Sequence, residues 1–241
     1  WENEYREGRT DEITGRFFER RVPEDFYDNV EDFDNVHNLI DASEHQAKIA
    51  ELKQALRKEQ LRIYDSGLLP EQMRLRRAEA HQMTIYEMVR DPKLYPLESY
   101  LDAADSALEQ NPTNLDQFVK GLEHTDPGIR WWAINGLLLL YADAAPATDA
   151  LKKALKDEVS EIQMMAAWAL VECGEQELGV AALDQLLFGD CDNVEMLHNI
   201  IDWMGEPGLP LVKKYIENGG SREGKYGVVS ILGHVAELNG W

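Results

Sequence analysis

With 241 residues, 44% of them hydrophobic and 29% charged, the chain can bury one large or two small cores and is too apolar to be a disordered segment. Its 45 acidic residues against 24 basic ones leave a formal net charge of −21, a field that repels nucleic acid and anionic membrane. Two cysteines, Cys173 and Cys191, are too few for a disulfide framework, and no apolar run is long enough to span a membrane.

The chain opens Trp1-Glu2-Asn3-Glu4, without Met and without a basic, apolar leader, as an interior piece of a longer protein would. Up to residue 40 the aromatics lack a helical period. Phe17-Phe18 and Phe26-Tyr27, flanked by turn formers, predict one or two short strands, followed by an acidic turn from Asp28 to Asp34. Strands taken from a larger sheet would leave an unpaired edge here. A helix follows over about 44–65. Ser43 and Gln46 have capping-box spacing, Ile49, Leu52, Leu56 and Ile63 share one stripe, and Ser66-Gly67 ends it. Thr84 with Glu87 predicts a second capping box. Pro96 opens a helix with Leu97, Tyr100, Leu101, Ala104 and Leu108 on one face, closed by Asn111-Pro112.

From about Asn114 to Leu238 the pattern repeats. Asp126-Pro127 is an N-cap with proline at the first helical position, and Ile129, Trp132, Ala133, Gly136, Leu137 and Leu140 follow at helical spacing. Adding 33 carries Leu122, Ile129, Ala133, Gly136 and Leu137 onto Leu155, Ile162, Ala166, Ala169 and Leu170. Ser160 with Gln163 again has capping-box spacing. Adding a further 31 carries Leu155, Leu170 and Gly174 onto Leu186, Ile201 and Gly205, and a fourth copy runs from Leu209 through Ile216 and from Ser221 to Leu238. Paired helices at a period in the thirties predict an α-solenoid. Asp126-Pro127-Gly128-Ile129-Arg130 before a second helix resembles HEAT repeats.

Motifs for chemistry are scarce. The chain has no glycine-rich phosphate loop, paired-cysteine metal motif or nucleophile elbow, and its six histidines (His37, His45, His81, His124, His198 and His234) lack metal-ligand spacing. Asp28 to Asp34 lacks the glycine of a calcium-binding turn and predicts a solvated turn, and Asp192 with Glu195 predicts a helix cap. Trp131, Trp132, Trp168 and Trp203 predict packing between repeats, with a sugar-stacking platform as the sharper alternative. One of Trp131 and Trp132 should face outward, since adjacent helical residues do not share a face. Arg16, Arg20 and Arg21 with Arg74, Arg76 and Arg77 are the basic concentrations. Surface ion pairing is their simplest role, an anion-facing wall the alternative.

Over residues 1–110, Arg16-Phe17-Phe18, then Pro23 through Asp28, Asn38-Leu39, the helix from Ile49 to Ile63 and Gly67-Leu68-Leu69-Pro70-Glu71 resemble the C-terminal region of bacterial type I sulfatases of the arylsulfatase kind. Tyr86-Glu87-Met88, Arg90-Asp91-Pro92 and Tyr95-Pro96-Leu97-Glu98 resemble the connector to HEAT repeats in some members. The family's usual Asp-Pro is here Phe33-Asp34, and its usual Leu before Tyr is Phe26.

The resemblance implies a small α+β subdomain over 1–66, a helical connector over 67–112 and helical repeats over 113–241. It implies a parent enzyme that hydrolyses sulfate esters with calcium and formylglycine and is periplasmic or secreted. Cys173-Gly174-Glu175-Gln176 and Cys191-Asp192-Asn193-Val194 do not match the Cys-x-Pro-Ser-Arg motif, so no catalytic, cofactor-binding or metal-ligating residue is assigned. The implied partners are an absent catalytic domain and a sulfated carbohydrate or a protein. The alternative is a stand-alone HEAT-repeat scaffold that binds a protein.

Overall fold

The computed structural model describes residues 1–189, 191 and 193–218. No β-strand occurs among them, and the chain divides into two compact units, Trp1–Asp65 and the rest from Ser66 onward.

The first unit corrects the expected α+β subdomain. Helices α1 (Glu2–Arg6) and α2 (Glu12–Gly15) precede a tight turn over Arg16–Phe18. The rings of Trp1, Tyr5, Phe17 and Phe18 stack on one another, Tyr5 and Phe18 with centroids 4.8 Å apart and Trp1 and Phe17 with centroids 5.1 Å apart. A strand would send Phe17 and Phe18 to opposite faces, whereas here both join one local cluster. Around Phe26 one backbone bond, Leu39 N to Phe26 O at 2.7 Å, is joined by side-chain bonds. The Asn38 Oδ1 accepts from Phe26 N at 2.9 Å and from Ile40 N at 3.0 Å. Asp28 accepts from Val30 N at 2.9 Å, and Asp32 from Val36 N at 3.0 Å and His37 N at 2.7 Å. Those amides hold the Asp32 carboxyl below its ordinary range. The acidic segment is thus a series of turns closed by Asp side chains, and no ladder edge forms.

Helix α3 (Gln46–Ile63) starts without the expected capping box. Ser43 donates to its neighbour Glu44, and the Gln46 amide turns back to the Ile40 carbonyl at 2.7 Å. The left-handed residue that ends it is Tyr64, at φ 56°, rather than Gly67. Of its apolar stripe only Ile49 is buried, while Leu52, Leu56 and Ile63 are 47%, 61% and 47% exposed.

The second unit begins with α4 (Glu71–Ala80) and α5 (Ile85–Met88). The capping box of Thr84 and Glu87 forms, with Thr84 N donating to the Glu87 carboxylate at 2.9 Å and Glu87 N to Thr84 Oγ1 at 3.2 Å. Helix α6 (Leu97–Leu108) buries Leu97, Tyr100, Leu101 and Ala104, but Ala107 and not Leu108 completes the face. Then come α7 (Leu115–Gly121), α8 (Pro127–Leu139), α9 (Thr148–Ala154), α10 (Ser160–Glu172), α11 (Gln176–Leu187), α12 (Val194–Met204) and α13 (Leu209–Glu217). They stack in two layers. Helices α6, α8, α10 and α12 pack in succession, and α7, α9, α11 and α13 cover them. Fully buried Ile134, Leu137, Ile162, Leu170, Leu183, Leu197 and Ile200 form the shared core, each worth about 1.5–3 kcal/mol on transfer from water.

The repeat offsets hold at the level of single bonds. Asp126 caps α8 by accepting from Gly128 N at 2.6 Å. Arg130 donates to the His124 carbonyl at 3.0 Å, and 33 residues on Gln163 donates to the carbonyl of Asp157. That bond takes the Gln163 amide, so the box expected with Ser160 does not form, and the N-cap is Val159, whose amide bonds Asp157 at 2.9 Å. The layer's helices end on left-handed residues at equivalent positions, Tyr141, Gly174 and Gly205. Asn193 caps α12, accepting from Met196 N at 3.2 Å. Asp192, His234 and the second half of the fourth copy, Ser221 to Leu238, lie outside the described residues.

A band of buried charge fixes the N-terminal ends of the first layer. Arg77 of α4 donates to Tyr100, to the Leu94 carbonyl at 2.7 Å and to Asp126 at 3.2 Å. Arg130 grips Asp157 with two nitrogens at 2.8 Å and 3.0 Å and reaches Glu158 at 3.1 Å. Arg76 bonds Glu161, whose side chain is 0% exposed, at 2.5 Å, and Asn193 donates to the same carboxylate at 3.1 Å. These arginines are therefore paired across elements rather than along one helix surface.

Replacing Arg76 by alanine leaves Glu161 buried with too little compensation. The expected loss is about 2–3 kcal/mol, less than for a fully enclosed pair because Arg76 is a third exposed, and Glu161→Gln should lose less. Urea unfolding of the two variants checks this, and equal stability of Arg76→Ala and wild type would refute the pairing.

A Cβ on Gly136 would come within 2.7 Å of the Phe118 ring, and one on Gly121 within 2.8 Å of Ala133. This is the close approach of hairpin helices that the small residues at 133 and 136 permit. Gly136→Ala should therefore destabilise by about 1–3 kcal/mol despite its better helix propensity, as thermal melting would show.

His198 is 7% exposed, its Nε2 has no hydrogen-bond partner among the described residues, and its ring meets Tyr215 edge-on at 5.6 Å. Burial lowers its pKa from the usual 6.5, so the folded form binds fewer protons than the unfolded one. The stability tied to neutral His198 is complete above 6.5 and is lost as pH falls through it. The melting temperature should drop between about pH 7 and pH 5, with a shallower slope in His198→Phe.

Candidate interaction surface

Helices α8, α10 and α12 each bury one side under the second layer and leave another partly open. The offsets of 33 and 31 place Asn135, Trp168 and Asn199 at one level, and Leu139, Glu172 and Trp203 one helical turn further on. On α12 the open side is Glu195, Asn199 and Trp203, spaced four apart, and Trp203 is 65% exposed.

The four tryptophans take different roles. Trp132 turns its Nε1 to the Leu68 carbonyl at 2.9 Å, tying α8 to the segment before α4. Trp131 is half-buried against the core, and its carbonyl accepts from Asn135 at 2.7 Å. Trp168 and Trp203 meet with ring centroids 5.4 Å apart and planes tilted by 34°. Trp168 also donates to the Glu172 carboxylate at 3.0 Å. Matching Trp168 to its own repeat equivalent gives Asn199 and hides this pair. The signal that finds it is that Trp203 is the equivalent of Glu172, one turn from Trp168.

No Lys or Arg stands between Lys156 and Lys213, a stretch with twelve Asp and Glu, so α10, α11 and α12 carry no cationic Lys or Arg at all. On the covering layer Lys152 of α9 pairs with Glu175 at 3.3 Å and Lys214 of α13 with Asp184 at 2.6 Å. A groove of about 490 Å³ in that layer is lined by Leu155, Lys156, Leu178, Ala182 and Leu186.

The arginine groups do not make an anion-facing wall. Arg16, Arg20 and Arg21 line a hollow of about 620 Å³ in the first unit together with Glu12, Glu19 and Asp25, which balance them. Arg76 and Arg77 of the second unit are held by Glu161 and Asp126, and Arg74 donates to Ser66 at 2.9 Å. No cluster of three or more His, Cys, Asp or Glu is placed to hold a metal among the described residues. Cys173 and Cys191 form no disulfide. Burial pushes the Cys173 thiol up, with Glu172 and Glu175 adding to it, so it is a poor nucleophile at neutral pH.

No curated protein and no solved structure matches the chain. The resemblance of residues 1–110 to a sulfatase tail is overturned, because that part has helices and turns where the resemblance implies a strand and small sheet, and no sulfatase relative is found. The calcium and formylglycine of a sulfatase parent rested on that resemblance alone and fall with it. The family whose model does match is that of HEAT repeats, over residues 115–195, the segment in which the paired helices and their offsets are most regular.

Proposed function

We propose that the chain is a scaffold that holds a protein partner along the open side of α8, α10 and α12. The observation that carries this reading is Trp203, a large indole 65% exposed at the end of a helix stripe and packed against Trp168 of the neighbouring repeat. Tryptophan is enriched among the few residues that dominate protein interfaces. Successive repeats also multiply such positions at fixed spacing, which suits a solenoid to an extended partner. A sulfated carbohydrate is a poor occupant of this face, since α10 and α12 hold no Lys or Arg and Arg130 of α8 is buried against Asp157.

A photo-crosslinking residue at exposed Asn199, compared with one at exposed Lys153 of α9, tests this in extracts of the producing cell. The expected outcome is a discrete protein adduct from position 199, absent from position 153 and lost on Trp203→Ala. Adducts of equal yield from both positions, or none from either, would sink the scaffold reading.

A further inference from the structure

We propose that the occupant of this face is an arginine-bearing basic segment of the partner protein, an inference that rests on the scaffold reading above. The indole of Trp203 offers an exposed π face, and an arginine guanidinium stacks on such a face better than an ammonium, because it is planar and weakly hydrated. The Trp168 ring meets Trp203 with centroids 5.4 Å apart, and its Nε1 holds the Glu172 carboxylate at 3.0 Å. A guanidinium seated on Trp203 keeps its fork of N–H donors available for a carboxylate at its rim. Glu195 continues the same side of α12.

The surroundings select for charge as well. From Asp157 to Val212 the sequence holds twelve carboxylate residues and no Lys or Arg, so an incoming cation meets no competitor from these helices. A second copy of this chain carries the same net charge of −21 and is repelled, as is a nucleic acid. The excess of negative charge also draws a basic segment in at long range, while the indoles decide where it stops.

The test is calorimetric titration of the whole chain with a short peptide alternating arginine and serine, and with its lysine and glutamate counterparts. The arginine peptide should bind several-fold more tightly than the lysine peptide, and the glutamate peptide should not bind. Trp203→Ala should weaken arginine binding about tenfold, Trp203→Phe less, and Glu172→Gln more than Asp149→Asn on the covering layer. Circular dichroism melts confirm that the variants are folded. Arginine and lysine peptides of equal affinity that ignore Trp203→Ala mean attraction by the net field alone and overturn the proposal, as does binding of the glutamate peptide. If the position-199 adduct forms but the arginine peptide neither binds nor displaces it, this inference fails and the scaffold reading stands. If no adduct forms at all, the scaffold reading itself has failed.

Discussion

The regular stacking of the second unit depends on how its first layer is anchored at the helix N-termini. Three arginines meet there with carboxylates from other elements: Arg77 with Asp126, Arg130 with Asp157, and Arg76 with Glu161. Apolar burial makes the helices associate, but a hydrophobic face tolerates sliding and rotation. A guanidinium fork that must find a carboxylate tolerates neither. Asp126 shows the economy of the arrangement, since one carboxylate caps α8, accepts from Tyr100 at 2.8 Å and pairs with Arg77. Burial drives the pKa of Tyr100 further up, so its hydroxyl stays a donor at any physiological pH.

What the sequence made legible was whatever repeats. The offsets locate the paired helices and mark Gly136 and the Gly174–Gly205 pair as repeat positions, because a repeated unit shows its own constraints more than once; the structure adds the close approach at Gly136 and the left-handed ends at Gly174 and Gly205. What stayed hidden was set by single contacts. Ser43 and Ser160 have the spacing of capping residues, yet Gln46 and Gln163 spend their amides on carbonyls upstream, and spacing does not show which acceptor wins. The expected strands at Phe17 and Phe26 failed for a related reason. Aromatic pairs suit strands, but a strand needs a neighbour; Phe17 packs on Phe18 instead, and the Phe26 amide donates to the Asn38 side chain. The Trp168–Trp203 pair was hidden for a third reason, since it joins positions one turn out of register between repeats.

The tryptophans divide the work of the stack. Trp132 is spent inward, its indole N–H satisfied by a backbone carbonyl. Trp203 is spent outward, and little in the core requires it there. Exposed apolar area of this size is a liability in solution, and the acidic residues of α10 and α12 surround it with charge of one sign.

The joints of the first layer are not equally stiff. Between α8 and α10 a charged fork holds Asp157 from two nitrogens and reaches Glu158 besides. Between α10 and α12 the corresponding tie, among the described residues, is an amide bond from Asn193 to Glu161. The Trp168–Trp203 pair straddles that second joint. A ligand spanning both indoles would act as a splint there, adding a tie where the described residues supply the fewest and making the last helices turn with the body of the stack.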